Sequence, residues 1–242
     1  MPDQAVRRGR GLLHAGRSDT WRHHAGGRAS YGGRTLRNPV QRQRAGKITS
    51  MLTSPVVAPE IDAFRLQFEQ LSAETDALAA PLTDEQFAWR PAPDAWSVGE
   101  CLDHLNATAR MYLPVMDEGI ADAIRHGLYG AGPYTYNWIG RLSVYVVAPP
   151  VRLRVKAPPP FVPTPGRLRP DVLAGFRAYQ VQYVDRLRQA NGLDLARARV
   201  WSPVVRWLRI PLGSSFALMI AHERRHLAQA RRLIESPHFP RR

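Results

Sequence analysis

The sequence predicts an all-α protein, a four-helix bundle with long, proline-rich connections. Four stretches place apolar side chains at helical spacing, and prolines or glycine separate or end them. Helices of this kind bury their apolar stripes against one another in a bundle. With 242 residues, the chain is long enough for one such domain with a sizeable core.

The first predicted helix lies in IDAFRLQFEQLSAETDALAA, which begins at Ile61 and is closed by Pro81. Prolines at positions 91 and 93 exclude a helix from the connector that follows.

The second predicted helix begins near Ser97, because Ser97 and Glu100 match the S-x-x-E capping box that opens many helices. We expect it to run through Met111 and to be kinked or broken at Pro114. Glu100 is then a capping residue. Asp103 falls on the outward side of this helix and is expected to be solvated.

The remaining chain predicts two further long helices and an irregular segment. Residues 127–166 are irregular, with a short helix expected over Asn137–Val147 and an extended, proline-rich remainder. The third long helix opens at Pro170 and ends at Asn191–Gly192. The fourth runs from about Ser214 to Ile234.

Charge is distributed unevenly along the chain. Residues 1–50 hold eleven basic and two acidic side chains, or +9 of the net +14. This stretch is rich in Gly and Arg and lacks apolar periodicity, so we expect a disordered basic extension before a domain over residues 51–242. A nucleic-acid-binding arm and a targeting peptide are alternatives, but the sequence favours translation starting at Met51. Nucleic acid is therefore not an expected partner.

Two further features limit the class of protein to which the chain can belong. No stretch approaches the length of a membrane-spanning helix, so we expect no membrane partner and a cytoplasmic location. The single cysteine, Cys101, excludes an intrachain disulfide. Cys101 is interpreted as a small core residue, with a fourth metal ligand or a redox group as the alternatives.

The chemistry-bearing motif is HERRH at residues 222–226. On a helical projection, His222 and His226 lie on one shoulder of the apolar face, whereas the nearby arginines, Arg225 included, fall on the opposite side. Two histidines four residues apart suit a metal ion, and two ordinary half-buried histidines are the alternative. Glu223 falls near the centre of the apolar face, so it should be buried and need a partner.

The HExxH spacing also occurs in zinc proteases. The extended pattern H-x-x-G-x-x-H fails, because position 229 is Gln and position 232 is Arg. Glu235 is too close to serve as a third ligand from the same helix. A third ligand is instead available in His104 of the second predicted helix. Three imidazoles with open positions are typical of a reactive metal site.

Three segments carry a family resemblance: WSVGECLDH from Trp96 to His104, the proline-rich stretch around Ala157–Phe161, and HERRHLAQ from His222. They resemble the DinB-like superfamily, and within it the small YfiT-type metal-dependent hydrolases, over about residues 60–236. The resemblance implies a four-helix bundle of up-down-down-up topology. It also implies a divalent metal ion held by His104, His222 and His226.

The resemblance also carries expectations about activity. It implies a metal-dependent transferase or hydrolase that acts through a low-molecular-weight thiol or a metal-bound water, with a small thiol-type molecule as substrate. Zinc or nickel is expected, with iron or manganese as alternatives. Glu223 would orient a ligand histidine or, as the alternative, pair with an arginine of another helix. One of several arginines near the site, Arg225 among them, would hold an anionic substrate. The alternative is a non-catalytic, metal-stabilised stress or interaction module, expected as a homodimer.

Overall fold

The computed structural model describes residues 57–149 and 156–241, which form six α-helices and two short strands. The elements are α1 (Pro59–Ala79), α2 (Asp84–Ala88), α3 (Val98–Arg125), α4 (Trp138–Val147), a short 3₁₀ helix (Pro159–Phe161), α5 (Arg169–Gln189), β1 (Arg199–Trp201), β2 (Arg209–Pro211) and α6 (Leu212–Ile234). The predictions for residues 1–50, including a start at Met51, lie outside the described residues.

The predicted all-α four-helix bundle is confirmed, with α1, α3, α5 and α6 as its four helices. Helices α5 and α6 each pack against both α1 and α3. Phe64 near the start of α1 contacts Phe216 near the start of α6, and Glu74 late in α1 pairs with Arg231 late in α6. Helices α1 and α6 therefore run in the same direction.

Contacts of α5 give its direction relative to the other helices. Arg169 at its start donates to the carbonyl of Ala79 at the end of α1, so α5 is antiparallel to α1. Asn106 early in α3 donates to the carbonyl of Val172 early in α5, which makes α3 and α5 parallel.

Large apolar side chains from all four helices fill the core. The Phe68 ring of α1 stacks on Tyr183 of α5 with centroids 4.7 Å apart. Leu102 and Met116 of α3 and Phe216 of α6 are likewise fully buried. Each such side chain contributes roughly 1.5–3 kcal/mol by leaving water, so the core gives the histidine-bearing helices a rigid frame.

The start of α3 is confirmed, but a break at Pro114, one of the two predicted outcomes, is wrong. The Ser97 side chain accepts from the Glu100 N–H, and the Glu100 carboxylate accepts from the Ser97 N–H and pairs with Arg90. The helix continues through Pro114 to Arg125. Pro114 and Arg110 are both exposed, so the Arg110 carbonyl that loses its helical partner lies on the side facing water.

The prediction that Asp103 is solvated is also wrong. Asp103 is buried, and its carboxylate accepts from the Thr164 N–H at 2.7 Å and from the Arg167 guanidinium at 3.1 Å. The connection before α5 folds over the outward side of α3, which local periodicity cannot show. Asp103 therefore fastens this connection to α3.

The prediction that the first connector holds no helix is wrong, and two short strands were not predicted. Helix α2 occupies five residues of that connector, is capped by Thr83 and ends before Pro91 and Pro93. Strands β1 and β2 pair antiparallel, with Val200 opposite Ile210. Within the described ranges, no helix is both long and apolar enough to cross a bilayer.

Candidate metal centre

The three predicted ligand histidines converge at one point between α3 and α6. The Nε2 atom of His222 lies 3.2 Å from Nε2 of His104 and 3.1 Å from Nε2 of His226. The four-residue spacing on α6 brings His222 and His226 to one face, and α3 presents His104 to both. One ligand atom from each residue lies within 4.8 Å of the others.

A backbone carbonyl fixes the tautomer of His104. Its Nδ1 lies 2.6 Å from the Phe161 carbonyl oxygen, which can only accept. Nδ1 therefore carries the hydrogen, and the Nε2 lone pair is directed at the other two imidazoles. Metal-binding histidines are commonly oriented in this way by a carbonyl on the other ring nitrogen.

The spacing of the nitrogens fits a first-row divalent ion. Metal–nitrogen bonds of about 2.0–2.1 Å place neighbouring ligand nitrogens roughly 2.8–3.4 Å apart, with octahedral geometry at the short end and tetrahedral geometry at the long end. The two Nε2 separations fall in this range. The Trp96 ring packs against His226, with centroids 5.9 Å apart, and the Gln229 side chain interacts with the same imidazole.

Burial keeps the three imidazoles neutral. It lowers the pKa of His104, lowers the pKa of His226 to about 3, and lowers that of His222 well below its ordinary value. The neighbouring imidazoles and the Arg225 guanidinium lower the pKa of His222 and His226 further. Neutral imidazoles are the form that binds a metal ion, so the site needs no proton release at pH 7.

A cavity of about 920 Å³ opens over the three imidazoles. Its walls are largely apolar and include Phe161, Leu218 and Met219. The Trp96 ring lies against His104, with centroids 4.8 Å apart, and borders the same space. The cavity has the size and the mixed polarity of a small-molecule site.

The polar lining of this cavity is mainly cationic. Arg225, Arg232 and Lys156 line it, against a single carboxylate from Asp94 among the described residues. Arg225 was predicted on the side of α6 opposite the apolar face, but it is half-buried and lines the cavity. Because it lies three residues after His222, it shares the shoulder of the helix that carries the ligands.

Glu223 is buried as predicted, but its described hydrogen bond leads away from the imidazoles. Its Oε1 accepts from the Gln180 amide at 3.0 Å, between α6 and α5. Burial raises its pKa to about 8. Glu223 Oε2 and Gln180 Oε1 have no partners among the described residues. A protonated Glu223 could donate to Gln180 and satisfy both atoms. The predicted role of orienting a ligand histidine thus has no hydrogen bond to support it in the described part of the chain.

Cys101 and the aromatic side chains before α4 lie outside the imidazole cluster. Cys101 is fully buried, and burial raises the pKa of its thiol to about 12, which favours the interpretation as a core residue. Tyr134 and Tyr136 pack on the core, and Tyr136 donates to Glu60. They attach the connection to the bundle.

The Phe161 carbonyl and Trp96 were not predicted as parts of the site, although both lie within the segments that carry the family resemblance. A backbone carbonyl gives no side-chain signal, and Trp96 stands just before the predicted helix, where its position gives no sign of a contact with His104. The proximity of the proline-rich segment to His104 depends on the fold of a long connection.

Comparison with known proteins identifies the family to which the chain belongs. The family model of the DinB superfamily matches residues 67–230, more than half of the chain. The protein belongs to the DinB superfamily. The DinB match spans α3 and most of α6 and so includes all three histidines.

One solved structure similar to this DinB protein is YfiT from Bacillus subtilis, described as a probable metal-dependent hydrolase with an unusual four-helix bundle topology. The two chains share 14% identity, with a TM-score of 0.48, and the match covers 76% of this chain and 91% of YfiT. No curated protein matches the sequence significantly.

Proposed function

We propose that this DinB-superfamily protein binds a divalent metal ion through His104, His222 and His226 and is a metal-dependent transferase or hydrolase for a small molecule. The observation that carries the proposal is the convergence of three neutral imidazoles beneath a cavity of about 920 Å³. Three protein ligands leave coordination positions open, as in reactive rather than structural metal sites.

The chemistry that such an ion supplies is acidification of a bound water or thiol, which gives a nucleophile near neutral pH. The protein groups hold and shield this position. The Phe161 carbonyl keeps the His104 lone pair directed at the site. Trp96 and the apolar walls surround the site with groups of low polarity, so charges within it interact more strongly than they would in water.

The cationic lining supports an anionic substrate with an apolar part. The charge of Arg225 lowers the pKa of all three imidazoles, so this guanidinium lies within electrostatic reach of the reacting position. Arg232 and Lys156 add positive charge along the same cavity. A low-molecular-weight thiol that carries a carboxylate satisfies these requirements. Zinc or nickel is the proposed metal, since both accept imidazole ligands readily.

A non-catalytic, metal-stabilised module is the second candidate. The position of Glu223 favours it, because the carboxylate adjacent to a ligand histidine pairs with Gln180 in the core rather than facing the cavity. A homodimer remains a prediction of this candidate.

An activity assay separates the two candidates. Protein loaded with zinc or nickel is incubated with a panel of thiols and an electrophilic acceptor, and loss of free thiol is followed. Hydrolysis of activated esters is measured in parallel. An enzyme should lose turnover in His104→Ala and keep it in His126→Ala, whose histidine is exposed at the end of α3. Absence of turnover together with a lower melting temperature in His104→Ala would favour the structural module.

A further inference from the structure

Two neighbouring surface segments expose large apolar side chains. On α4, Trp138, Leu142 and Tyr145 follow i, i+4, i+7 spacing and share one face, with Trp138 72% exposed. In the turn between β1 and β2, Trp207 is 80% exposed and Val204 48% exposed. We call these five residues the exposed patch.

The two segments that carry the exposed patch both border the metal-site cavity. A Cβ atom at Gly140 would lie 3.1 Å from Cδ of Pro211, so α4 lies directly against the end of β2. Val146 and Val147 of α4 line the same cavity as Val204 of the turn. Isolated exposed apolar residues are ordinary, but a set of neighbours with two tryptophans marks an interaction surface.

Two exposed arginines accompany the exposed patch. Others in the flanking sequence pair with carboxylates: Arg125 and Arg209 with Asp122, and Arg167 with Asp103. Arg141 is exposed on the same side of α4 as Trp138, and the exposed Arg206 precedes Trp207. The surface is therefore both apolar and cationic.

The charge of this surface decides between possible occupants. A symmetric dimer through the exposed patch would set Arg141 and Arg206 against the same residues of a second copy, and like charges across an interface are costly. Residues 1–50 carry a net charge of +9, so the arginines beside the exposed patch would repel them as well. Exposed tryptophan and tyrosine beside arginine are instead the composition of segments that lie in a lipid headgroup layer.

We propose that the exposed patch docks this protein on a bilayer surface that contains anionic lipid. Trp138 and Trp207 enter the headgroup region, and Arg141 and Arg206 contact the anionic headgroups. The sequence predicts no membrane partner because no stretch can span a bilayer, but surface docking requires no span. Docking places the mouth of the metal-site cavity near the lipid surface.

The test is co-sedimentation of the full chain with vesicles of phosphatidylcholine alone or mixed with phosphatidylglycerol. We expect sedimentation with the mixed vesicles and not with the neutral ones. Trp138→Ala/Trp207→Ala should abolish it, since both side chains are largely exposed and their loss leaves the core intact. The matched control is Leu66→Ala/Val181→Ala, which removes exposed apolar side chains from α1 and α5.

Two double variants, each of which removes two arginine charges, test the contact with the lipid headgroups. Arg141→Gln/Arg206→Gln should weaken partition into the mixed vesicles about thirtyfold. Arg110→Gln/Arg224→Gln removes the same charge from exposed positions outside the patch and should have a much smaller effect.

Three results would overturn the proposal. One is equal sedimentation with neutral and anionic vesicles, and another is sedimentation that Trp138→Ala/Trp207→Ala leaves unchanged. The third is a dimer, seen by light scattering, that this double variant dissociates while the parent binds no vesicle. That result would assign the exposed patch to a second copy of the chain.

Discussion

At the scale of single residues, His104 illustrates how a backbone group sets the chemistry of a side chain. The Phe161 carbonyl requires the hydrogen on Nδ1 and leaves the Nε2 lone pair for the site. Burial removes the competing protonated form by lowering the pKa of the ring. Residue type and spacing predicted the ligand, but the tautomer depends on a carbonyl 57 residues away in the sequence.

Glu223 gives a prediction about pH and stability. Its pKa is raised to about 8 by burial, whereas in the unfolded chain the carboxyl ionises near its ordinary value of 4.5. Between these pH values the Glu223 carboxyl binds more protons in the folded than in the unfolded state, so its contribution to the free energy of unfolding falls as pH rises from about 4.5 to about 8. Glu223→Gln should remove this fall and be the more stable protein at pH 8.

The measurement is urea unfolding of parent and variant in the presence of a chelator at several pH values across this range. The stability advantage of Glu223→Gln should shrink as pH falls. Glu118→Gln, at an exposed position of α3, is the control and should follow the parent. A constant difference between Glu223→Gln and the parent at all pH values would show that Glu223 is ionised in the folded protein.

At the scale of elements, the predicted and observed helices differ for identifiable reasons. The four bundle helices were predictable because each carries its own apolar periodicity. Strands β1 and β2 were not, since three-residue strands such as Arg199–Trp201 show no measurable alternation. Asp103 was wrongly predicted to be solvated, because a connection that is distant in sequence covers it. Sequence pattern thus predicts what an element buries locally, and long connections decide the rest.

The connection before α5 yields an element-scale prediction. Asp103→Asn removes the charge and one of the two acceptors that hold Thr164 and Arg167. A buried donor left without a partner costs about 1–3 kcal/mol, and we expect a loss of unfolding free energy in this range. Metal affinity should also fall, about tenfold, because the Phe161 carbonyl belongs to the same connection.

Calorimetric metal titration and chemical unfolding check both effects. Asp185→Asn is the control, since Asp185 forms an exposed ion pair with Arg188 within α5. Unchanged affinity in Asp103→Asn would show that the Phe161 carbonyl keeps its position without this anchor.

At the scale of the whole molecule, a metal ion shared by α3 and α6 should link binding to folding. An ion at a hundred times its dissociation constant stabilises the folded state by about 2.7 kcal/mol if the unfolded chain does not bind it. Zinc or nickel should therefore raise the melting temperature of the parent and have little effect on His104→Ala/His222→Ala. Calorimetric scans with added metal or chelator measure this, and an equal rise in both proteins would contradict a site at these histidines.

The most direct test of the central claim is the metal content of protein purified without a histidine tag, measured by plasma mass spectrometry. The account predicts about one metal ion per chain in the parent and in the control His126→Ala/His238→Ala, whose histidines are exposed. It predicts almost none in His104→Ala/His222→Ala. No metal in the parent, even after incubation with zinc and nickel, would leave three ordinary histidines in a helical bundle and contradict the proposed metal centre.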